Sequence, residues 1–244
     1  MRSLSSLFML PLFFTGFCTA EDHGHHADAK PAPAAATPAA HGATAGGEPA
    51  AQGLDAKHAL ERLLEGNQRF IGDLTIKGHK DSERRVEVAK GQHPIAIVVC
   101  CSDSRVPPEQ VFDVGLGDIF VIRVAGNVVD AIELGSIEYA AAHLHVPLVV
   151  VMGHERCGAV TAAISGDAAP AHVLSIVDKI QQNLVGSTPA PGDAVDQAVI
   201  LNAKAVARQI AASAPLLKDM VAGGTLSVVA VRYDLDDGVV KVLP

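Results

Sequence analysis

Two short segments of the chain carry the residue types that bind transition metals. Cys101 is followed by Asp103 and Arg105, and much later in the chain His154 is followed by Cys157. Two thiolates and one imidazole make a good tetrahedral ligand set for Zn²⁺ and leave one coordination position for water or hydroxide. A His-x-x-Cys pair alone is weak evidence, but the second cysteine with its carboxylate and guanidinium neighbours strengthens it. The pattern predicts a catalytic zinc site.

Asp103 and Arg105 stand two positions apart, directly after the first candidate ligand. A carboxylate and a guanidinium at this spacing can form a charge-assisted pair beside the metal. The alternative is an ordinary solvated salt bridge, which contributes little. The position next to Cys101 favours the functional pair. The adjacent Cys100 is predicted to be a buried strand residue, because cysteine often packs as a small apolar side chain, although its position makes a competing metal ligand conceivable.

Each segment directly follows an apolar run that is predicted to be a strand. Continuous β-branched runs of this length are typical of strands buried on both faces of a parallel sheet. In open α/β sheets, ligands bind at the carboxyl ends of strands, so two strand ends can bring Cys101 to His154 and Cys157. The predicted strands cover residues 95–100, 118–124, 147–152 and 226–231.

Helical patterns lie before and between these strands. Apolar residues at helical spacing predict a first helix with Gly66 near its end, and we expect Ser82 to be the N-cap of a short helix over 82–90. A turn at 236–238 predicts that residues 239–243 pair back on the last strand. The fold class is therefore α/β, with a mostly parallel central β-sheet flanked by helices and a C-terminal antiparallel hairpin strand. Further helices are predicted over 131–144, 158–165, 171–184 and 193–214.

Composition bounds the classes of function. The chain has 244 residues, enough for one domain with an appendage, and 49% of them are hydrophobic, so a sizeable core can form. The formal net charge of -8 at pH 7 argues against a nucleic-acid-binding protein, because such proteins present basic faces.

The first residues have the pattern of a secretory signal peptide over residues 1–20. Arg2 supplies the positive charge, an apolar run over 4–14 is too short to cross a bilayer comfortably, and small residues precede Glu21. We expect cleavage before Glu21 and an exported protein, periplasmic or secreted. Lipidation at Cys18 and an uncleaved anchor are the alternatives. Cleavage would leave an odd number of cysteines, which argues against a simple disulfide framework.

Residues 21–53 are rich in Ala, Pro, Gly and His and almost lack large apolar side chains. Such a stretch cannot bury enough apolar surface to offset its ordering entropy, so we predict a disordered linker. Its histidines are either incidental and solvated, or weak scavengers of metal ions for the domain behind them. That domain is expected to cover residues 54–244.

Three ordered motifs resemble those of the β-class carbonic anhydrases. They are Cys-Ser-Asp-Ser-Arg-Val-Pro from Cys101, Asp-Ile-Phe-Val-Ile-Arg-Val-Ala-Gly-Asn over 118–127, and Gly-His-x-x-Cys-Gly over 153–158. The resemblance extends over the whole predicted domain and includes Tyr-Asp-Leu from Tyr233. It implies an enzyme that reversibly hydrates carbon dioxide to bicarbonate and a proton, by attack of zinc-bound hydroxide, with one Zn²⁺ per chain.

The resemblance also implies roles for the residues of both segments. The family's zinc ligands match Cys101, His154 and Cys157, and its Asp-Arg dyad matches Asp103 and Arg105. In the mechanism that this implies, Asp103 accepts a hydrogen bond from the hydroxide and orients it. In some members of the family, this aspartate itself takes the fourth zinc position and switches the enzyme off.

Two further positions match substrate-binding residues of the family. Gln92 matches a glutamine that reaches substrate across the dimer interface, and Phe120 matches an apolar residue lining the carbon dioxide pocket. A solvated loop glutamine and a core phenylalanine are the alternatives. A homodimer or tetramer is implied as well. The apolar face carrying Leu60, Leu63, Leu64 and Phe70 precedes the first strand and has no strand of its own beneath it, so we expect a partner subunit to bury it; packing on its own sheet is the alternative.

One departure from the family and two alternative functions stay open. Val98 stands where a tryptophan marks the bicarbonate-inhibited subgroup, and no residue is identified as the proton shuttle. A carbon disulfide or carbonyl sulfide hydrolase on the same fold is one alternative. The other is a non-catalytic zinc-binding module in which Asp103 closes the fourth position, although Arg105 should draw Asp103 away from the metal.

Overall fold

The computed structural model describes residues 53–76, 79–187 and 192–244. The predictions of a signal peptide, of nearly all the linker and of lipidation at Cys18 fall on residues outside these ranges. Within the described ranges, none of the helices combines the length and the apolar character needed to cross a bilayer.

A five-stranded sheet lies at the centre of the domain. Its strands are β1 (Ala96–Cys100), β2 (Ile119–Arg123), β3 (Leu148–His154), β4 (Ser227–Tyr233) and β5 (Val240–Val242). The spatial order is β2-β1-β3-β4-β5, with β1 to β4 parallel and β5 antiparallel to β4. The predicted fold class, a mostly parallel α/β sheet that ends in an antiparallel hairpin strand, is confirmed.

Helices cover both faces of the sheet. They are α1 (Ala56–Ile71), α2 (Ser82–Val88), α3 (Pro108–Val111), α4 (Ala131–His143), α5 (Gly158–Ser165), α6 (Val173–Leu184), α7 (Ala194–Ala211) and α8 (Leu216–Ala222). Acidic side chains begin several of them, because a carboxylate can accept the unpaired N–H groups of a first turn. Asp55 caps α1, Asp193 caps α7, and Asp130 with Glu133 forms a capping box on α4.

The side chains of the sheet divide into two buried clusters, one on each face. Along β1, Val98 and Cys100 point into the cluster that α1, α5 and α6 cover, which we call the α1-side core. Ile97 and Val99 point into the α4-side core, which α4 and α8 cover. Because both faces are covered, every residue of β1 is buried, which explains its continuous apolar sequence. Both candidate cysteine ligands belong to the α1-side core.

The first helix packs on its own sheet, contrary to the sequence-based expectation. Ala59 and Leu63 are fully buried in the α1-side core, where α1 contacts β1 and β3. Asn67 then ties the helix to the C-terminal hairpin, since its side chain donates to Gly238 O at 2.8 Å and accepts from Val240 N at 2.9 Å. The prediction that α1 lacks a sheet beneath it is wrong, because the exposed face of β1 and β3 needs a cover that α1 supplies.

Several predicted helix boundaries also differ from the structure. The helix predicted over 193–214 is α7, which ends at Ala211, and a helix that was not predicted, α8, follows Pro215. Asp81, not Ser82, caps α2. Gly66 lies near the end of α1, as predicted, and a Cβ there would collide with Phe112 O, so glycine also permits a close approach of the chain at this position.

Candidate metal centre

The structure brings the three predicted metal ligands together at the carboxyl edge of the sheet. Cys101 follows the last residue of β1, His154 ends the neighbouring parallel strand β3, and Cys157 is the residue before α5. One ligand atom from each residue lies within 4.8 Å of the other two. All three residues are buried, with exposed fractions of 4%, 0% and 1%. The parallel pairing of β1 and β3 therefore accounts for their meeting.

The imidazole of His154 is oriented to coordinate an ion. Its Nδ1 lies 2.9 Å from Glu155 O. A carbonyl oxygen only accepts hydrogen bonds, so Nδ1 carries the proton and Nε2 keeps its lone pair. Nε2 is buried and has no hydrogen-bond partner among the described residues. Buried polar atoms rarely stay unpaired, and a metal ion between His154 and the two sulfurs would satisfy this one. The residues present therefore fit Zn²⁺.

The sulfur of Cys101 is prepared to be a thiolate. It accepts hydrogen bonds from Asp103 N at 3.4 Å and Gly126 N at 3.3 Å. The neighbouring Cys157 thiol, followed by the His154 ring and these two amides, lowers the pKa of Cys101 against the opposing effect of burial. The Cys101 thiolate and burial in turn raise the pKa of Cys157. A divalent cation would therefore displace one proton when both sulfurs bind it.

Cys100 lies apart from this donor cluster. Its side chain is fully buried in the α1-side core, as predicted for a strand residue. Burial raises the pKa of Cys100 to about 12, so it stays a neutral thiol at physiological pH. The group of potential ligand atoms found around Cys101 in the described part of the chain does not include it.

Asp103 and Arg105 form a bidentate ion pair at the edge of the donor cluster. Arg105 Nε lies 2.9 Å from Asp103 Oδ1 and Arg105 Nη2 lies 2.8 Å from Oδ2, while the Arg105 backbone N–H also donates to Oδ1 at 2.9 Å. These contacts hold the pKa of Asp103 well below its usual range. Asp103 Oδ2 is 3.9 Å from His154 Nε2. An ionised acceptor thus lies beside the place where an ion would sit, engaged by Arg105.

Comparison with known proteins identifies the family. Residues 96–240 match the family model for carbonic anhydrase. The chain is a β-class carbonic anhydrase. It is 38% identical over 184 residues to carbonic anhydrase 2 of Mycobacterium tuberculosis, an alignment that covers 74% of this chain and 89% of that protein. The activity of the family is the reversible hydration of carbon dioxide, and this chain is an enzyme of that kind.

Solved structures agree with this assignment. A β-carbonic anhydrase structure from Sordaria macrospora, described with a second enzyme as tetrameric, superposes with a TM-score of 0.61 at 26% identity, covering 76% of this chain and 97% of that one. The Coccomyxa β-carbonic anhydrase in complex with acetazolamide has a TM-score of 0.59 at 32% identity and covers 75% and 86%. The likeness therefore includes the elements that carry the metal centre.

Arg123 stabilises the metal-binding loop of this carbonic anhydrase, and sequence reasoning missed it. Its Nε donates to Cys101 O at 3.0 Å and its Nη2 donates to Asp103 O at 2.6 Å. Arg123 is the last residue of β2, which pairs with β1 and so ends beside Cys101. An arginine that closes a predicted apolar strand was the available signal, but the pairing of β1 with β2 was needed to interpret it.

The C-terminal hairpin holds the second ligand loop. Glu155 N donates to Tyr233 O at 3.0 Å, and Leu235 N donates to the Glu155 carboxylate at 3.2 Å. Arg156 makes two hydrogen bonds to Asp236, at 2.9 and 2.7 Å. The sequence had indicated only a turn at 236–238. The turn also anchors the backbone between the two ligands His154 and Cys157, which nothing local in the sequence signals.

A second group of potential ligand atoms is an ion-pair network. Glu155, Asp234 and Asp236 lie close enough together to hold a cation. Arg232 donates to Asp234 at 3.0 Å and lowers the pKa of Asp234 to about 2, and Arg156 pairs with Asp236. Because each of these two carboxylates already has a guanidinium partner, the group stabilises the hairpin and offers little to a metal.

The two predicted substrate-binding residues lie away from the triad of their own chain. Gln92 is exposed at the amino end of β1, in a pocket of about 320 Å³ that His143 and His145 also line. A five-residue strand separates it from Cys101, a span of roughly 17 Å. Phe120 of β2 packs toward the α4-side core, with its ring centroid 6.4 Å from that of Tyr139. The role of Gln92 across a dimer interface and that of Phe120 in lining a carbon dioxide pocket remain predictions.

Proposed function

We propose that Cys101, His154 and Cys157 hold one Zn²⁺ per chain and that carbon dioxide is hydrated at this centre. The observation that carries the proposal is the buried Nε2 of His154, which has no hydrogen-bond partner among the described residues and lies within 4.8 Å of two cysteine sulfurs. When bound there, Zn²⁺ acidifies water and so supplies a nucleophile at neutral pH. Three protein ligands leave a coordination position for that water, as catalytic zinc sites require.

Asp103 orients the water that attacks carbon dioxide. Its low pKa keeps the carboxylate ionised throughout the working range, so it acts only as a hydrogen-bond acceptor. Arg105 fixes both oxygens, and Arg123 fixes the backbone carbonyl of the same residue. An acceptor held this firmly orients a lone pair of the nucleophile without having to reorganise during the reaction. Bicarbonate then leaves, and the proton passes to buffer by a route to which we assign no residue.

The pairing of Asp103 with Arg105 also argues against a non-catalytic zinc module. Such a module needs a fourth protein ligand, and Asp103 is the residue that the sequence suggested for that role, while Cys100 lies outside the donor cluster of the described residues. Both of its oxygens are engaged by Arg105, and it is not among the clustered donor atoms of the described residues. Hydrolysis of carbon disulfide or carbonyl sulfide is less well supported than hydration of carbon dioxide, because the curated relatives are carbonic anhydrases.

A comparison of three substrates tests this proposal directly. Purified enzyme, stripped of metal and then reconstituted with Zn²⁺, should accelerate carbon dioxide hydration only after reconstitution. Carbon disulfide and carbonyl sulfide should be hydrolysed far more slowly by the same preparation. Stopped-flow pH-indicator measurements report the first reaction, and sulfide release reports the other two. Faster sulfide release than hydration, or full hydration activity without metal, would reject the proposal.

We propose that the enzyme works as a homodimer or tetramer. A solved relative is described as tetrameric. In this chain β2 is an edge strand of the described sheet, and Tyr139 beside its Phe120 is 49% exposed although it is a large aromatic residue. An edge strand with half-buried aromatic neighbours is suited to pairing with a second copy. Gln92, which lies far from its own triad, would then act at the partner's site.

Gln92→Ala should retain the oligomeric mass and raise KM for carbon dioxide hydration by about tenfold, the loss expected for one hydrogen bond to substrate. Light scattering at assay concentration measures the mass, and steady-state kinetics measures KM. His93→Ala, which changes the adjacent exposed loop residue, serves as the control and should leave KM unchanged. A fully active monomer would contradict the interface proposal but would leave the zinc assignment intact.

We propose that the protein is exported after removal of residues 1–20. Support comes from the pattern of Arg2, the apolar run and the small residues before Glu21. The native mature protein should begin at Glu21 and be recovered outside the cytoplasm, which intact-mass measurement and cell fractionation would show. Lipid attached to Cys18, or a native N-terminus at Met1 in a membrane fraction, would contradict cleavage at this site.

A further inference from the structure

A line of hydrogen bonds runs from helices α6 and α7 to the metal centre. Asn202 of α7 is fully buried. Its Nδ2 donates to Gly126 O at 2.8 Å, and its Oδ1 accepts from Asn183 Nδ2 of α6 at 2.8 Å. Gly126 O can only accept, so the amide orientation of Asn202 is fixed at one end, and Asn183 completes it at the other. The Gly126 N–H in turn donates to Cys101 Sγ at 3.3 Å.

Gly126 has a conformation that needs an external restraint. It lies in a 3-10 turn over Ala125–Asn127 with φ 67° and ψ 18°, in the left-handed region that favours glycine. A Cβ at this position would lie 2.6 Å from Ile180 Cδ1 and 3.3 Å from Ala159 Cβ, so another residue would force these neighbours to shift. Glycine has no side chain with which to hold its own orientation. The hydrogen bond from Asn202 to the Gly126 carbonyl adds to the bond from Asn127 N to Val124 O at 2.8 Å that closes the turn, and together they restrain Gly126, whose own N–H donates to Cys101 Sγ.

Burying the polar side chain of Asn202 in an apolar environment also costs free energy of folding. Its neighbours on the buried face of α7 include Val199, Ala203 and Val206, and all of these are fully or almost fully buried. An asparagine in such a row loses hydration and favours the helix less than an apolar residue would. Only the two hydrogen bonds offset this cost, and one of them leads, through Gly126, to a metal ligand.

We infer that Asn202 is a positioning residue for the metal centre: it holds Gly126 so that the Gly126 N–H donates to the Cys101 thiolate. An N–H group on a thiolate withdraws charge from the sulfur and fixes its direction. Groups that contact metal ligands in this way typically change metal affinity by about 10- to 100-fold. This inference rests on the proposed zinc site, because it assigns a partner to one of its ligands.

The test compares Asn202→Leu with Asn67→Leu in the full-length protein. Asn67 is a matched control, because it too is fully buried and bonds three backbone groups, on Val111, Gly238 and Val240; these reach the second ligand loop only through the hairpin, and none of them donates to Cys101 Sγ. Asn202→Leu should weaken zinc binding by about 10- to 100-fold in competition with a chelator. It should also shift the thiolate-to-metal charge-transfer band of the Co²⁺-loaded protein. Asn67→Leu should lower the melting temperature and change zinc affinity and the Co²⁺ band much less than Asn202→Leu does.

A milder variant keeps the inference falsifiable if Asn202→Leu fails to fold. Asn183→Ala removes only the donor to Asn202 Oδ1, at a half-buried position, and should shift the Co²⁺ band in the same direction by a smaller amount. If Asn202→Leu folds, an unchanged Co²⁺ band and zinc affinity in that variant would overturn the inference. If it does not fold, an unchanged Co²⁺ band and zinc affinity in Asn183→Ala would do so. An equal shift in Asn67→Leu would do the same. Failure of wild-type protein to bind Zn²⁺ or Co²⁺ would instead refute the zinc site itself.

Discussion

Cys157→Ala should abolish stoichiometric zinc binding and reduce kcat/KM for carbon dioxide hydration by roughly 10⁴-fold or more, given that enzymic accelerations start near 10⁶-fold. Cys157 is 1% exposed, and its sulfur lies within 4.8 Å of the donor atoms of Cys101 and His154. Its removal leaves two protein ligands, too few for a closed zinc site. Metal analysis of the purified variant and stopped-flow hydration assays measure the two losses.

Cys100→Ala is the matched control for this experiment. It also removes one buried sulfur, next to a ligand in sequence, but Cys100 is a neutral core thiol outside the donor cluster. It should retain about one zinc per chain and wild-type activity, with at most a modest loss of thermal stability from the small cavity. Full zinc occupancy in Cys157→Ala, or zinc loss in Cys100→Ala, would show that the ligand set is wrongly assigned.

Arg105→Ala should retain zinc and lower kcat/KM by about 10²- to 10³-fold, the usual cost of removing one oriented electrostatic partner in an active site. The physical reason is the release of Asp103. Its two oxygens are held by Arg105 at 2.9 and 2.8 Å, and Oδ2 is already 3.9 Å from His154 Nε2. Without the guanidinium, a small rotation brings the carboxylate to the metal, where it blocks the position for water.

The measurement combines zinc content, hydration kinetics and X-ray absorption spectroscopy of the bound zinc. Arg105→Ala should show the metal ligated by a carboxylate oxygen at neutral pH. The double variant Arg105→Ala/Asp103→Ala should lose that ligand. Arg85→Ala changes an exposed arginine of α2, away from the donor cluster, and should behave as wild type. Unchanged turnover in Arg105→Ala would contradict the dyad, and loss of zinc would show that Arg105 has a structural role instead.

The sequence alone was sufficient for the elements whose signals are local. The strands β1 and β3 are continuous apolar runs because both of their faces are covered, and that pattern is visible without knowing what covers them. The ligand types at Cys101, His154 and Cys157 could also be recognised from the sequence, because zinc selects thiolate and imidazole whatever the fold. Their position after strand ends predicted their meeting, which depends only on β1 and β3 being parallel neighbours.

The local sequence pattern did not predict which surface covers the apolar face of helix α1. The apolar face of α1 was assigned to a partner subunit, yet Ala59 and Leu63 are buried against the chain's own sheet. Periodicity shows that a helix face must be covered, but it does not say by which surface. The packing role of Gly66 could not be predicted for a similar reason, because its close approach to Phe112 cannot be seen in the sequence.

The groups that hold the metal ligands in place were decided by tertiary structure alone. Asn202 bonds Gly126 across 76 positions of the chain, and Arg156 bonds Asp236 across 80. In the sequence, an asparagine within an apolar helix and an acidic turn do not indicate that they bond to the metal-ligand loops. Residue type and spacing therefore determined which atoms can bind the metal. Which atoms hold those ligands in place depended on where distant segments meet, because hydrogen bonds between such segments leave no periodic trace in the sequence.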